Sequence, residues 1–142
     1  MEFNKKSKQK AEYLFVYGTL KPEMIESVMP QLLPYFEFVA NGYVTGKLFD
    51  VNDYPGAVPA TSVHNKIFGQ LLSIHRGFEK EVFHLLDDYE DYDTANVVGS
   101  LFRREKVTVY INEAHMQEAW IYWYNKSTSG LTEIISGVYS KE

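Results

Sequence analysis

The sequence predicts an α+β domain built on a small, strongly curved or closed β-sheet that is mostly antiparallel. Two patterns carry this prediction: about six strand-like segments interrupted by glycines, and a single strong helical repeat set among them. The aromatic content of 15%, with 11 Tyr and 9 Phe, suits pleated, half-buried surfaces and equally a ligand pocket.

Residues 13–20 read as the first strand. Tyr13-Leu14-Phe15-Val16-Tyr17 is an aromatic and branched run that stops at Gly18, followed by Thr19-Leu20 and Lys21-Pro22. Glycine there allows a sharp turn and a close backbone approach, and a strand ending in such a turn presents N–H groups suited to a carboxylate or an oxyanion. From Lys21 to Tyr35 the prolines Pro22, Pro30 and Pro34 allow at most a short helix. Residues 36–51 alternate as a strand or bent pair, and Gly42 and Gly46 suggest bulges or a barrel bend. Asn52-Asp53-Tyr54-Pro55-Gly56 is a turn by residue chemistry. Residues 57–63 and 66–74 then resemble two strands joined as a hairpin through His64-Asn65.

The helical repeat spans 78–90, with Phe78, Val82, Leu85, Leu86 and Tyr89 on one face and Glu79 and Glu81 in the first turn. A polar loop follows over 91–100. Residues 102–111 form a strand with Val107, Val109 and Ile111 on one side. A turn over 112–115 leads to a strand over 116–125, where Ala119, Ile121 and Trp123 oppose Trp120, Tyr122 and Tyr124. Residues 126–142 read as a tail.

A chain of 142 residues fits one domain, with residues 1–11 expected as a disordered basic tail and 12–142 as the folded unit. There is no cysteine, which excludes disulfides, thiolate nucleophiles and zinc fingers. No apolar run approaches membrane-spanning length, and Tyr13–Tyr17 is too short for a signal-peptide core, so a cytoplasmic location is the expectation. The net charge of −5 argues against a general nucleic-acid surface.

Residues 79–93 hold seven acids: Glu79, Glu81, Asp87, Asp88, Glu90, Asp91 and Asp93. Most are expected on a solvated face. Glu90 differs, because it lies one turn beyond Leu86 and two beyond Val82 and so continues the apolar stripe. Asp87 and Asp91 are turned about 100° from that stripe. A carboxyl on a buried face loses solvation, and its pKa rises towards that of a useful general base. Metal binding is the competing use of these acids. Asp91-Tyr92-Asp93 begins like a calcium loop, but Ala95, Asn96 and Phe102 stand where further ligands and the glycine are needed. His64, His75, His84 and His115 have no ligand spacing, and no nucleotide or nucleophile-elbow fingerprint occurs.

Taken together, Tyr17-Gly18-Thr19-Leu20, Tyr54-Pro55-Gly56, Phe68-Gly69-Gln70-Leu71, Leu86-Asp87-Asp88-Tyr89-Glu90, Phe102-Arg103-Arg104, Ala119-Trp120-Ile121-Tyr122 and Ile135-Ser136-Gly137 resemble the gamma-glutamylcyclotransferase-like family. The resemblance spans residues 13–139. It implies a small β-barrel with flanking helices, Glu90 as catalytic acid/base, and a substrate site of Tyr17, Gly18, Thr19, Leu20, Tyr54, Arg103 and Tyr124. It further implies that the α-amine of a small γ-glutamyl compound attacks its own side-chain amide, releasing an amine and 5-oxoproline, with no cofactor or metal.

One departure is visible: many members have glycine after the catalytic glutamate, and here Asp91 stands there. A second carboxylate so close is expected to raise the Glu90 pKa further. The substrate can be a γ-glutamyl amine, amino acid or peptide, or a carrier-linked γ-glutamyl group. A related acyl-transfer or amide-cleaving enzyme and a non-catalytic small-molecule binder are the alternative readings, and the oligomeric state is open.

Overall fold

The computed structural model describes residues 11–18 and 30–140. The elements are β1 (Glu12–Val16), a 3-10 helix (Pro30–Tyr35), β2 (Phe36–Asp50), β3 (Pro55–Pro59), β4 (Lys66–Ile74), α1 (Glu79–Tyr89), β5 (Phe102–Asn112), β6 (His115–Tyr124) and β7 (Thr132–Glu133). Strands β2, β4, β1, β6 and β5 lie side by side in that order, and β5 returns to β2 where Tyr110 opposes Tyr43. These five strands therefore close into a barrel. All neighbours run antiparallel except β1 and β6, which are parallel with Leu14 opposite Trp120. The closed, mostly antiparallel sheet predicted from the glycine-broken strands is the architecture found.

Of the two expectations for Gly42, a bulge or a barrel bend, it is the barrel that explains the residue. A Cβ there would lie 2.8 Å from the Tyr110 carbonyl oxygen, so glycine lets β5 approach β2. The irregularity in β2 falls earlier, between Phe38 and Ala40, while Gly46 is paired in register with Pro59.

The expected hairpin through His64-Asn65 does not form. β3 pairs with the C-terminal third of β2 (Gly46–Asp50), and β4 pairs with the preceding stretch (Phe36–Thr45). The chain reverses once, at Asn52–Tyr54, and then runs back along β2 in two pieces separated by residues 60–65. Local turn residues cannot distinguish a reversal from such an interruption, because both need polar, loop-compatible positions. The first strand ends at Val16, short of the expected residue 20; Thr19 and Leu20 lie outside the described residues, as do positions 21–29 of the expected short helix. The segment expected as a tail is part of the fold. β7 pairs with Phe49 and Asp50, and Tyr139 is buried in the barrel interior.

The strand alternation sorts side chains into two cores. Phe15, Tyr17, Leu71, Val109, Ala119, Ile121 and Trp123 fill the barrel. Leu14, Val16, Leu72, Phe102, Tyr122 and Tyr124 face outwards and are covered by Val82, Phe83 and Leu86 of α1. The predicted opposition within β6 is thus the inside and outside of the barrel. On α1 the buried stripe is rotated from the predicted one: Phe83 is buried, while Phe78 and Tyr89 are exposed. Phe83 packs edge-on against Trp120 with ring centroids 5.7 Å apart, which draws the helix round towards β6.

Candidate active site

A cavity of about 310 Å³ opens where β1 ends, at the small end of the range for ligand pockets. Phe15 to Gly18 form one wall and Asp53-Tyr54-Pro55 another; Tyr89 and Glu90 close it from the end of α1, Leu101 from the loop before β5, and Phe102 and Tyr122 from β5 and β6. Gly18 is required by the crossing of the first two walls. A Cβ there would lie 2.7 Å from Cγ of Pro55, so any side chain would force β1 and the Tyr54-Pro55 turn apart.

The end of α1 places Glu90. Its amide donates to the Leu86 carbonyl at 2.8 Å, so it still belongs to the last helical turn. The Asp91 amide then donates to the Asp88 carbonyl at 3.2 Å and the Tyr92 amide to the Asp87 carbonyl at 2.8 Å. This pair of bonds with a left-handed residue between is a Schellman closure, and Asp91 adopts φ 56° to make it. The loop therefore takes the backbone path that glycine would take. Aspartate is among the few side chains that tolerate this region.

Glu90 retains partial solvent contact at the cavity mouth, but its carboxyl is enclosed by protein. Burial is the larger cause that pushes its pKa up from 4.5 to about 8, and the negative charge of Asp87 adds to it. The second carboxylate is thus Asp87, where Asp91 was expected. Burial also raises Tyr17, Tyr54 and Tyr122, with Glu90 a smaller contributor to each. These three phenols remain neutral at ordinary pH and can act as hydrogen-bond groups. The Tyr17 hydroxyl donates to the Tyr122 carbonyl, tying the end of β1 to β6.

Asp87 is not the outward-facing acid that helical spacing suggested. Arg104 grips it with two bonds, Nε to Oδ1 at 2.9 Å and Nη2 to Oδ2 at 3.2 Å, and the Tyr122 hydroxyl donates to Oδ1 at 2.6 Å. The Arg104 guanidinium lies 4.2 Å from the Phe83 ring and 4.7 Å from the Trp120 ring. The spacing argument failed because Phe83 shares the buried face, and Asp87 sits one turn beyond it.

Of the residues expected at the site, Tyr17, Gly18, Tyr54 and Glu90 line the one cavity together. Thr19 and Leu20 lie outside the described residues. Arg103 and Tyr124 are not among its lining. Arg103 alternates to the other face of β5 from Phe102, where Nε donates to Glu105 at 2.8 Å and Nη1 to Asn125 at 3.1 Å. Tyr124 supports the wall from behind: its ring packs edge-on against Phe102 at 5.7 Å, and its Cγ would lie 2.9 Å from a Cβ on Gly56. Asp53, Tyr89, Phe102 and Tyr122 also line the cavity, although the sequence reading did not name them as site residues. The outward aromatic face of β6 was the available signal for Tyr122.

The sequence profile of the family described as Gamma-glutamyl cyclotransferase, AIG2-like, matches residues 14–141. The chain belongs to this family. Solved structures share the fold of this AIG2-like chain. YkqA of Bacillus subtilis aligns with a TM-score of 0.64 at 21% identity, covering 92% of this chain and 40% of YkqA, so the chain spans less than half of that protein. An AIG2-like protein of Mus musculus aligns with a TM-score of 0.61 at 16% identity, covering 94% of this chain and 98% of that one. A gamma-glutamyl cyclotransferase aligns with a TM-score of 0.56 at 9% identity, covering 87% of this chain and 70% of that one. At these identities the likeness is one of fold. No curated protein sequence matches the chain. Among the described residues of this AIG2-like chain, no helix is long and apolar enough to cross a membrane.

Proposed function

We propose that the chain is a gamma-glutamylcyclotransferase-type enzyme that converts the γ-glutamyl group of a small substrate to 5-oxoproline, with Glu90 as acid/base. The observation that carries this reading is Glu90: a carboxyl enclosed in the wall of the cavity beside Tyr17 and Gly18, with its pKa lifted to about 8. A purely structural carboxyl would be paired with a cation or turned to water, whereas this one is held where a ligand would meet it.

The chemistry follows from the substrate. Its α-ammonium is no nucleophile until a proton is removed. A base with a pKa near that of the ammonium removes it with little uphill transfer. The freed nitrogen forms a bond to the side-chain amide carbon, and the tetrahedral oxyanion collapses with rupture of the amide C–N bond. The proton held by Glu90 passes to the departing nitrogen as the C–N bond breaks; Glu90 then takes the second proton from the ring nitrogen and hands it to the free amine, which leaves as an ammonium, so the lactam is neutral and Glu90 is again a carboxylate. A cavity of this size holds the glutamyl chain folded so that nitrogen meets carbon, and such positioning supplies much of the rate. The entering cation also lowers the proton affinity of Glu90, so substrate binding itself favours the basic form.

Incubation with γ-glutamyl amines, amino acids and peptides, scored for 5-oxoproline, tests the reading. Release of 5-oxoproline from at least one class supports it. Ligand binding with no turnover of any class would instead favour the non-catalytic binder.

A further inference from the structure

We propose that Asp87, clamped by Arg104 and Tyr122, is a positioning residue whose fixed negative charge controls when Glu90 gives up and takes back its proton. The proposal rests on Glu90 being the acid/base of the reaction above.

The geometry is that of an immobilised charge. Oδ1 of Asp87 accepts from both Arg104 Nε and the Tyr122 hydroxyl, and Oδ2 accepts from Arg104 Nη2. Arg104 cannot swing away, because its guanidinium lies against Phe83 and Trp120. Asp87 does not line the cavity, so it does not touch a ligand there; Tyr122 does line it. The carboxylate thus stands one helical turn behind Glu90 and acts on it through space.

The other titratable groups around the pair come from every neighbouring element. Arg104 comes from β5, Tyr122 from β6, Tyr17 from just beyond β1, and Tyr54 and Asp53 from the turn before β3; Tyr89 lines the cavity from the end of α1, and the Tyr92 ring lies 5.9 Å from the Arg104 guanidinium. Tyr17, Tyr54 and Tyr122 are held neutral. Among the described residues, the charges that matter are therefore Arg104, Asp87 and Asp53, and only Asp87 adds a charge effect to burial in raising Glu90. Arg104 offsets part of the field of Asp87, so the pair sets a level between an unscreened carboxylate and none. A plain structural tie between α1 and the barrel would need the ion pair but would leave the titration of Glu90 indifferent to its sign.

The test is the titration of the Glu90 carboxyl, followed by carbon-13 NMR in the substrate-free protein. Asp87→Asn keeps the shape and an acceptor for Tyr122 but removes the charge, so the Glu90 titration falls by roughly one unit or more. Asp87→Glu restores the charge and returns the titration towards wild type. Arg104→Gln leaves Asp87 unscreened and shifts the titration upwards. In Asp87→Asn the ascending limb of kcat/KM moves to lower pH along with the titration. An unchanged Glu90 titration in folded Asp87→Asn overturns the proposal, as does a shift of both charge variants in the same direction. If Asp87→Asn does not fold, Arg104→Gln decides alone: an upward shift supports the proposal, and anything else overturns it. Absence of 5-oxoproline would sink the proposed reaction and leave this titration readable, so the two failures are distinct.

Discussion

The Tyr92 amide donates to the Asp87 carbonyl at 2.8 Å and thereby ends α1 just beyond Glu90. Asp91, between them at φ 56°, is exposed and carries the strain of the reversal. Asp91→Gly should be neutral or stabilising, within about 1 kcal/mol, because relief of the left-handed strain is offset by the greater freedom of the unfolded chain. Asp91→Val should destabilise by roughly 1–2 kcal/mol, since a β-branched side chain does not fit that region. Thermal melts check both, and turnover of Asp91→Gly should stay near wild type. A Val variant as stable as wild type would mean that the closure is not under strain.

Glu90→Gln should lower turnover by about 10²–10⁴-fold while leaving the fold and ligand binding in place, since Gln keeps the shape but accepts no proton. Asp88→Asn should be close to wild type, because Asp88 is exposed on the far side of α1. In the wild type, kcat/KM should rise with pH through about 8, where the free enzyme gains its basic carboxylate. Steady-state rates across pH decide; a profile that falls over this range would place the needed group in its protonated form.

Glu90 also predicts how stability varies with pH. Its folded pKa of about 8 lies above the ordinary 4.5, so between these values the folded protein keeps a proton that the unfolded chain releases. The contribution is fully present below 4.5 and is lost as pH rises through 8. Glu90→Gln has no such proton. Its melting temperature should therefore gain on wild type as pH rises from about 5 to about 9, by several degrees at roughly 3 °C per kcal/mol. Parallel melting curves over this range would show that Glu90 is not held protonated.

Gly18→Ala should damage the cavity wall. The new Cβ would sit 2.7 Å from Cγ of Pro55, and the ring cannot yield without moving the Tyr54 turn. A loss of roughly 1–3 kcal/mol in stability and a raised KM are expected. A variant with wild-type melting and KM would show that the turn moves freely.

Much of the fold was legible because it depends on short periods. The alternation in β5 and β6, the stripe on α1 and the turn at Asn52–Tyr54 all reflect which side chains can be buried together. The position of Glu90 on that stripe, and of Tyr17, Gly18 and Tyr54 at strand ends and turns, was readable for the same reason. Pairing was not. His64-Asn65 has good turn chemistry, yet β3 and β4 both lie along β2.

Residue spacing alone located most of the strands and the 78–90 helix, and put Glu90 in line with the apolar positions Val82 and Leu86. Those outcomes follow from local spacing and the free energy of burying apolar groups. Long-range packing instead sets Asp87 inwards against Arg104 and Tyr122, and turns Arg103 away while Arg104 turns in. Those outcomes depend on the register that sets Arg104 opposite Tyr122 and on the rotation of α1 that buries Phe83. Both are settled by contacts between residues far apart in the chain, where no spacing rule reaches.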